Sequence, residues 1–394
     1  MTERQTIKRP IKLGNERLFD DHSSLISGKR LGLITNQSGV DLNLRLTADR
    51  LHEWPDCELA ALFSPEHGVR GDHQDGVEVG SSVDARTGVP VHSLYGSRRQ
   101  PDAAILAGLD ALLFDIQDVG VRFYTYLYTM SLAMEASAQR GIPFIVLDRP
   151  NPVGGEILEG NVLDPAFASF VGKYPIPVRY GMTIGELARL MNGEFSIGAQ
   201  LHVVAMDGWQ RAHFWEDTGL HWVPPSPNMP TATTALVYPG TCFIEGTNLS
   251  EGRGTTKPFE QVGAPFIDSD RLAGVLNERQ LPGVRFRAVH FTPSCDKYAN
   301  ESCAGVQLHV CERERFRPVT AGFELVSAVR REWPHDFQWR VPVTGIHNFD
   351  KLAGTDRIRR VLDEADGLEK LRLEWKVECS EFARSSRSYL LYQG

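Results

Sequence analysis

Short hydrophobic runs alternate with amphipathic stretches along the first 150 residues. The runs are KRLGLITNQSG (29–39), CELAALFSPEHG (57–68), DALLFDIQDVG (110–120) and IPFIVLDRPNP (142–152). Each run has a continuous apolar core, which is typical of strands covered on both faces. Segments 46–54 and 122–141 between them have helical spacing, and the second ends at Gly141, a residue that favours a helix C-cap. The alternation predicts a parallel sheet flanked by helices.

Each hydrophobic run ends in a cluster of polar side chains. The clusters are Thr35-Asn36-Gln37, Ser64-Pro65-Glu66-His67, Asp115-Gln117-Asp118 and Asp148-Arg149-Asn151. The carboxyl ends of parallel strands share one edge of an open sheet, and ligands bind in the crevice outside that edge. We therefore expect the four clusters to converge on one cleft.

Beyond about residue 160 the pattern mixes helices and strands with longer loops. YGMTIGELARLMNGEF predicts a helix with Thr183 as N-cap and Glu186 completing a capping box, and LHVVAMDGW predicts a strand. Residues 223–266 are rich in Pro, Gly, Thr and Ser and show little periodicity, and irregular segments of this length are usually functional. The remaining patterns are helical in SDRLAGVLNERQ, VTAGFELVSAVRREW and 356–375, and strand-like in GVRFRAVHF and GVQLHV.

These patterns predict an α/β protein of two domains. A chain of 394 residues exceeds the about 250 to 300 residues at which single hydrophobic cores stop growing. We expect residues 1–162 to form a Rossmann-like catalytic domain built on the parallel sheet. Residues 163–394 should form an α+β domain that closes an active-site cleft between the two.

Composition and charge exclude several classes of protein. The net charge of −8 and the scattered Lys and Arg residues argue against a nucleic-acid partner. The six cysteines contain no CxxC pair, so neither a disulfide framework nor a zinc site has support. No segment approaches about 18 uninterrupted apolar residues, and no signal-peptide pattern opens the chain. We expect a soluble cytoplasmic protein without membrane insertion.

A Rossmann-like pattern raises the question of a bound nucleotide. The first strand is followed by TNQSGVDLN, which has one glycine where a dinucleotide motif needs three, and no Walker sequence occurs. The glycine-rich EGRGTTKP (251–258) follows no strand-to-helix pattern, so it suggests a phosphate-binding loop only weakly. A tight loop that needs the backbone freedom of glycine is an equally good interpretation. No HExxH or HxH spacing indicates a metal site. The sequence therefore predicts a protein without cofactor or metal.

Glu66 is the first candidate for chemistry. It follows a buried strand and Pro65, which place it in a stiff turn at the edge of apolar surroundings. Such surroundings raise the pKa of a carboxylic acid, as a general acid requires. His67 is a candidate to orient that carboxyl, although neighbours on an extended segment point to opposite sides. The alternative is a structural role, in which Glu66 caps the next turn or pairs with Arg70.

The segment DIQDVGVRFYTY (115–126) is the second candidate. Its carboxylates, amide, arginine and aromatic rings suit recognition of a hydroxylated ring that carries a carboxylate. If a helix begins at Arg122, that residue shares a face with Tyr126. Ordinary helix packing is the alternative role of Tyr124.

Ten ordered motifs lie between residues 33 and 392. They are LITNQSGV, FSPEHGVRG, SLYG, FDIQDVGVRFYTYLYTM, VLDRPNPVGG, GMTIGELA, PSPNMPT, YPG, EGTNLSEGRGTTKPFEQVGAP and YLLY. Together they resemble the exo-β-N-acetylmuramidase (NamZ-like) family. The resemblance implies a glycoside hydrolase that removes N-acetylmuramic acid from the non-reducing end of peptidoglycan-derived chains, such as the disaccharide with N-acetylglucosamine. It also implies that Glu66, in the PEHG motif, is the catalytic glutamate.

The implied reaction assigns expected roles to the other polar residues. Glycosidases usually employ two carboxyl groups, and the substrate's 2-acetamido group is a possible nucleophile with Glu66 as general acid and then base. Asp118 or Asp115 would orient that acetamide or serve as the second carboxylate. The lactyl carboxylate needs a cation, with Arg122, Arg149 and Arg253 as candidates. The remaining substrate-binding candidates are Asn36, Gln117, Tyr124, Asn228, Asn248 and Glu251, each with an alternative role in holding loops.

Two other functions remain open from sequence. One is a glycosidase of the same fold for another acidic or N-acetylated sugar. The other is a non-catalytic muropeptide-binding protein, in which Glu66 would accept a hydrogen bond. The expected cytoplasmic location implies recycling of imported muropeptide fragments.

Overall fold

The computed structural model describes residues 11–66, 68–71, 82–96, 99–341, 345–362, 364 and 367–393. A seven-stranded sheet has the order β3-β4-β2-β1-β5-β6-β9. Its strands are β1 (Lys29–Thr35), β2 (Cys57–Ser64), β3 (Ser82–Val83), β4 (Pro90–Ser93), β5 (Ala111–Asp115), β6 (Phe144–Leu147) and β9 (Leu201–Val204). All neighbours are parallel except β3 and β4. The four hydrophobic runs supply its central strands, and the expected α/β class is confirmed.

Helices cover both faces of this sheet, as parallel strands require. They are α1 (Gly14–Asp20), α2 (Thr47–Glu53), α3 (Ala103–Leu106), α4 (Tyr126–Arg140) and α5 (Ile184–Glu194). The capping box of α5 is confirmed, because the Glu186 amide donates to Thr183 Oγ1 at 3.2 Å and the Thr183 amide donates to Glu186 Oε2 at 3.0 Å. Gly141 ends α4 in the left-handed conformation, with φ of +69°.

The prediction that α4 begins near Arg122 was wrong, since the helix begins at Tyr126. The amide of Arg122 donates to the carbonyl of Val178 at 2.8 Å, and Val121 forms a bridge with Arg179. Segment 121–123 therefore pairs with a strand before the helix starts.

The first sheet extends beyond the boundary predicted at residue 162. Strand β9 pairs in parallel with β6 and reaches it through the crossover helix α5. The predicted boundary followed a change in composition, which does not indicate which strands pair in a sheet. The expected strand within LHVVAMDGW is confirmed as this edge strand.

The rest of the chain combines helices with two small sheets. Strands β7 (Glu159–Val162) and β8 (Pro177–Arg179) form a pair, and the order β10-β12-β11 describes the antiparallel sheet. The latter strands are β10 (Gln261–Ala264), β11 (Val284–Phe291) and β12 (Cys303–Val310). The helices are α6 (Ala232–Thr241), α7 (Ser269–Glu278), α8 (Pro318–Glu332), α9 (Asn348–Ala353), α10 (Arg357–Val361) and α11 (Gly367–Ser386).

Helix α6 corrects the prediction that residues 223–266 are irregular. Its start is capped by Thr231, whose Oγ1 accepts from the amide of Thr234 at 3.1 Å. The helix contains Pro239 and is buried along most of its length. Tertiary packing therefore stabilises a helix that its threonines, Pro239 and Gly240 disfavour.

The end of the chain returns to the first sheet. Tyr392 Oη donates to Asp148 Oδ2 at 2.5 Å, and the amide of Leu391 donates to Glu186 Oε1 at 2.9 Å. Arg189 donates to the carbonyl of Tyr389 at 3.0 Å. The final residues thus bind the start of α5 and the end of β6. Among the helices in the described ranges, none is both long and apolar enough to cross a membrane.

Candidate active site

A cavity of about 1050 Å³, here called the main cavity, lies at the carboxyl edge of the large sheet. Five of the predicted site residues line it: Glu66, Tyr124, Asn228, Glu251 and Arg253. Glu66 comes two residues after the end of β2 and is half-buried. Tyr124 lies between β5 and α4. The remaining three come from segment 223–266, so both halves of the chain build the walls.

The loop that carries Asn228 is fixed by side chains from the sheet. Asn36 Nδ2 donates to the carbonyl of Pro225 at 2.9 Å, and Tyr126 Oη donates to the same carbonyl at 2.7 Å. Gln37 Nε2 donates to the carbonyl of Pro224 at 2.9 Å. Asn36 is itself buried and does not line the main cavity. In the structure Asn36 thus supports the wall, and its predicted contact with substrate stays a prediction.

The opposite wall contains a group of alternating charges. Arg253 donates to Glu245 Oε1 at 2.9 Å and lies 3.3 Å from Glu251 Oε1. Lys297 donates to Glu251 Oε2 at 2.9 Å. Both oxygens of Glu251 are therefore engaged by cations, and its side chain is only 2% exposed. The group holds Arg253 in one position.

Gly252 and Gly254 explain why Arg253 lies in a glycine-rich loop. Their φ angles are +79° and +73°, a region that other residues rarely adopt. A Cβ on Gly254 would lie 2.6 Å from the backbone nitrogen of Cys295. The local structure thus accounts for the glycines of EGRGTTKP as the tight loop that was one of its two interpretations.

Glu245 is the carboxyl that the sequence did not single out. Burial raises its pKa, opposed by the charge of Arg253 and supported by that of Glu251. Its side chain remains 29% exposed toward the main cavity. Within the described part of the chain, Oε1 binds Arg253 whereas Oε2 has no hydrogen-bond partner. Because its side chain is partly exposed in the wall of the main cavity, Glu245 can contact a molecule bound there.

Aromatic side chains line the space between the charged groups. Phe123, Tyr124, Tyr126, Tyr238 and Phe259 all face the main cavity. Their rings pack edge to face, with centroids 4.9 Å apart for Tyr124 and Tyr126 and 4.7 Å apart for Tyr238 and Phe259. An apolar surface with a few polar groups is typical of sites for small organic ligands.

Two of the predicted arginines lie outside the main cavity. Arg122 is fully buried and donates to the carbonyls of Asn161 at 2.8 Å, Ile176 at 2.9 Å, Leu352 at 3.2 Å and Ala353 at 2.6 Å. Burial lowers its pKa to about 10. Arg149 donates from Nε to Asp115 Oδ1 at 2.5 Å and from a terminal nitrogen to Asp115 Oδ2 at 3.0 Å. Arg149 and Asp115 thus form an ion pair within the core, and neither side chain lines the main cavity.

Three further candidates hold loops together. Gln117 Nε2 donates to the carbonyls of Asp118 at 2.7 Å and Pro150 at 2.8 Å. Asn248 Nδ2 donates to the carbonyl of Asp336 at 2.9 Å, and its Oδ1 accepts from the amide of Gln338. Asp118 lies behind the wall, where it accepts from the hydroxyl of Tyr180 and from the amide of Gly120. None of the three lines the main cavity.

His67 lies outside the described residues, so its predicted role stays a prediction. Among the residues that the structure does describe, no three His, Cys, Asp or Glu side chains are grouped so as to hold a metal ion. The expected independence from metal likewise stays a prediction.

Comparisons with known proteins assign the family. A family model described as Exo-beta-N-acetylmuramidase NamZ, N-terminal, matches residues 31–233, and its C-terminal counterpart matches residues 236–392. The chain belongs to the exo-β-N-acetylmuramidase NamZ family. The resemblance stated from its motifs is confirmed, and the family is named for a glycoside hydrolase activity.

Individual relatives agree with this assignment. The chain is 51% identical over 392 residues to peptidoglycan beta-N-acetylmuramidase NamZ of Bacillus subtilis (strain 168), a match that spans 99% of this chain and 94% of the relative. It is also similar to two solved DUF1343 family proteins from Bacteroides fragilis NCTC 9343. One has a TM-score of 0.90 and 40% identity over 98% of this chain and 100% of the other. The second has a TM-score of 0.77 and 29% identity over 98% and 99%.

Several residues of the main cavity were not singled out from the sequence. Glu245 begins the motif EGTNLSEGRGTTKPFEQVGAP and Tyr238 begins the motif YPG, but no pattern within either motif indicated that these side chains line a cavity. Arg340 reaches the cavity from a segment without periodicity. The spacing of Glu245, Glu251 and Arg253 within nine residues was a local signal of ion pairing, because ionisable side chains in a buried environment are usually paired.

Asp118 yields a testable prediction about stability. Its Oδ1 is buried without a hydrogen-bond partner among the described residues, and burial raises its pKa to about 6. The folded protein therefore binds this proton more tightly than the unfolded chain, in which the pKa is about 3.9. This contribution to stability is present below pH 4 and is lost as the pH rises through about 6.

We expect Asp118→Asn to remove this dependence on pH. Relative to the wild type, the free energy of unfolding of the variant should increase between pH 4 and pH 7, by roughly 3 kcal/mol for a shift of this size. Urea denaturation at a series of pH values measures the difference. Parallel pH dependences of the two proteins would contradict the assignment.

Proposed function

We propose that this protein is an exo-acting glycoside hydrolase that releases N-acetylmuramic acid from the non-reducing end of peptidoglycan fragments, with Glu66 as general acid and base. One observation carries the proposal. Glu66, in the PEHG motif, lines the same cavity as a second accessible carboxyl, Glu245, and a cation, Arg253. Membership of the NamZ family and the named activity of the Bacillus subtilis relative support the substrate class.

The proposed first step breaks the bond between C1 of the muramic acid and the leaving oxygen. Glu66 donates its proton to that oxygen, so that N-acetylglucosamine, or the chain that begins with it, leaves as an alcohol. The carbonyl oxygen of the substrate's 2-acetamido group attacks C1 and forms an oxazolinium ion. The Glu66 carboxylate then takes a proton from the water that opens this ring at C1.

Glu245 is the proposed second carboxyl. Asp115 and Asp118, the earlier candidates, lie away from the main cavity, whereas Glu245 presents an oxygen to it. A carboxylate beside the acetamido nitrogen accepts a hydrogen bond from its N–H group and stabilises the positive charge of the oxazolinium ion. Glu251 is less suited to this role, because cations engage both of its oxygens.

Arg253 is the proposed partner of the lactyl carboxylate. It is the one member of the three predicted arginines that lines the main cavity. Glu245 and Glu251 hold its guanidinium from two sides, and Lys297 offsets the charge of Glu251. A guanidinium held in place loses little conformational freedom when it binds a carboxylate, which favours Arg over Lys at this position.

The first prediction concerns Glu66→Gln. For the MurNAc–GlcNAc disaccharide we expect kcat/KM to fall by at least about 10²-fold, because the sugar alcohol cannot leave without a proton. The loss should be smaller for a 4-nitrophenyl N-acetylmuraminide, whose leaving group needs little protonation. Rates of sugar and nitrophenolate release measure the two values.

Glu58→Gln, an exposed position in strand β2, which precedes Glu66, is the matched control and should retain activity. Near-normal cleavage of the disaccharide by Glu66→Gln would overturn the catalytic role. Binding of the disaccharide without cleavage by the wild type would instead indicate a muropeptide-binding protein.

The second prediction distinguishes two roles of Glu245. If Glu245 stabilises the reaction, Glu245→Gln should lower kcat by about 10-fold or more with a smaller change in KM, as losses confined to the transition state do. If Glu245 only positions Arg253, the amide oxygen still accepts that hydrogen bond and kcat should stay within about 2-fold. Steady-state kinetics on the disaccharide separate the two results.

The third prediction tests the lactyl contact through selectivity. Arg253→Lys should reduce the ratio of kcat/KM for 4-nitrophenyl N-acetylmuraminide over 4-nitrophenyl N-acetylglucosaminide by about 10-fold or more, since a charged hydrogen bond contributes about 1.5–3 kcal/mol. The ratio cancels any general loss of active enzyme. An unchanged ratio would contradict the role of Arg253 and favour Arg340 as the partner of the lactyl carboxylate. Equal rates of the wild type on both glycosides would favour a glycosidase for another N-acetylated sugar.

A further inference from the structure

A second cavity of about 850 Å³ lies next to helix α4. Helix α3, helix α4 and segment 168–173 form its walls. Leu106, Leu132 and Ala136 supply an apolar floor, and the surrounding positions include Arg99, Arg140 and Lys173. An apolar floor with a charged rim is suited to a ligand that presents both a sugar face and an anion.

Shared segments of chain connect the two cavities. Val171 lines the main cavity and the adjacent Phe170 lines the second one. Tyr95 lines the main cavity, and Arg99 lies four residues further along. Helix α4 also runs from one to the other. It begins at Tyr126 in the main cavity, and Leu132, Ala136 and Arg140 lie six, ten and fourteen residues on, which is about 9, 15 and 21 Å at 1.5 Å per residue.

The charges of the second cavity are unequally neutralised. Lys173 donates to Glu135 Oε1 at 2.5 Å, and Asp102 accepts from the amide of Ala104 as the N-cap of α3. In contrast, the guanidinium of Arg99 lies 4.0 Å over the ring of Phe170, and no described carboxylate pairs with Arg99 or with Arg140. Within the described ranges, these two exposed arginines therefore have no carboxylate partner, in a protein whose net charge is −8.

The chemistry of the proposed substrate supplies an anion on this side of the reaction. In a glycan of alternating N-acetylmuramic acid and N-acetylglucosamine, the leaving group begins with N-acetylglucosamine. The next sugar is again N-acetylmuramic acid and carries another carboxylate on its lactyl group. In a chain longer than a disaccharide, a second lactyl carboxylate is therefore carried by the second sugar after the cleaved bond. This carboxylate lies away from the main cavity.

We propose that the second cavity is a distal subsite that binds the lactyl carboxylate of the second sugar on the leaving-group side, through Arg99 and Arg140. The inference rests on the proposed function and deepens it, because it makes the protein an enzyme that prefers glycan chains to the single disaccharide. Arg99 gains from its position over Phe170, since the ring holds the guanidinium and leaves its edge free to bind a carboxylate.

The test compares three substrates in initial rates of N-acetylmuramic acid release. They are the disaccharide MurNAc–GlcNAc, the tetrasaccharide (MurNAc–GlcNAc)₂, and the length-matched MurNAc–(GlcNAc)₃, which lacks the inner carboxylate. For the wild type, kcat/KM should be about 2- to 30-fold higher for (MurNAc–GlcNAc)₂ than for MurNAc–(GlcNAc)₃, the range expected for two exposed ion pairs. The double variant Arg99→Gln/Arg140→Gln should show a ratio near 1.

The disaccharide is the internal reference, because it does not reach the second cavity. Its turnover should be the same in the double variant and the wild type. Arg285→Gln/Arg315→Gln, which removes two exposed arginines from a different cavity, is the charge-matched control and should keep the wild-type ratio.

The possible failures are distinct. Equal kcat/KM of the wild type on the two tetrasaccharides, or an unchanged ratio in the double variant, would overturn the distal subsite and leave the proposed function intact. Absence of disaccharide cleavage by the wild type would overturn the proposed function and this inference together.

Discussion

The buried guanidinium of Arg122 is the interaction on which the geometry of the site depends. It donates to four carbonyls, two of them in segment 161–176 and two at the end of α9, so one side chain joins parts of the chain that are more than 200 residues apart. Its own carbonyl accepts from Tyr128 Oη at 2.6 Å. Phe123 and Tyr124 follow directly and line the main cavity, which means that a fixed point in the core sets the position of the aromatic wall.

The three candidate arginines illustrate how surroundings decide the role of one residue type. Arg122 satisfies backbone carbonyls, Arg149 satisfies the buried Asp115, and only Arg253 faces the main cavity. An unpaired buried charge is costly, and the guanidinium groups of Arg122 and Arg149 are each held by several acceptors. Around Arg253 the acidic and basic groups alternate, which leaves the wall without the strong negative charge that would repel an acidic sugar.

Local patterns were sufficient for much of the fold, because they report on local physics. Continuous apolar runs identified the parallel strands, and the capping box at Thr183 identified the start of α5. The convergence of strand ends correctly placed Glu66 at a cavity, but it did not separate residues that line a wall from those that support it. Asn36 and Asn248 are examples: their amides bind backbone carbonyls on segments distant in sequence, which spacing along the chain cannot show. Glu245 was missed for the same reason, since its accessibility depends on how α6 packs.

The return of the chain's end to the first sheet has a consequence for the order of folding. Tyr392 and Leu391 bind Asp148 and Glu186, groups that belong to the sheet and its crossover helix. Ribosomal synthesis makes those acceptors long before their partners. Until residues 391 and 392 have been made, Glu186 and Asp148 lack two donors that the folded protein supplies, so these contacts to the first sheet form late in folding.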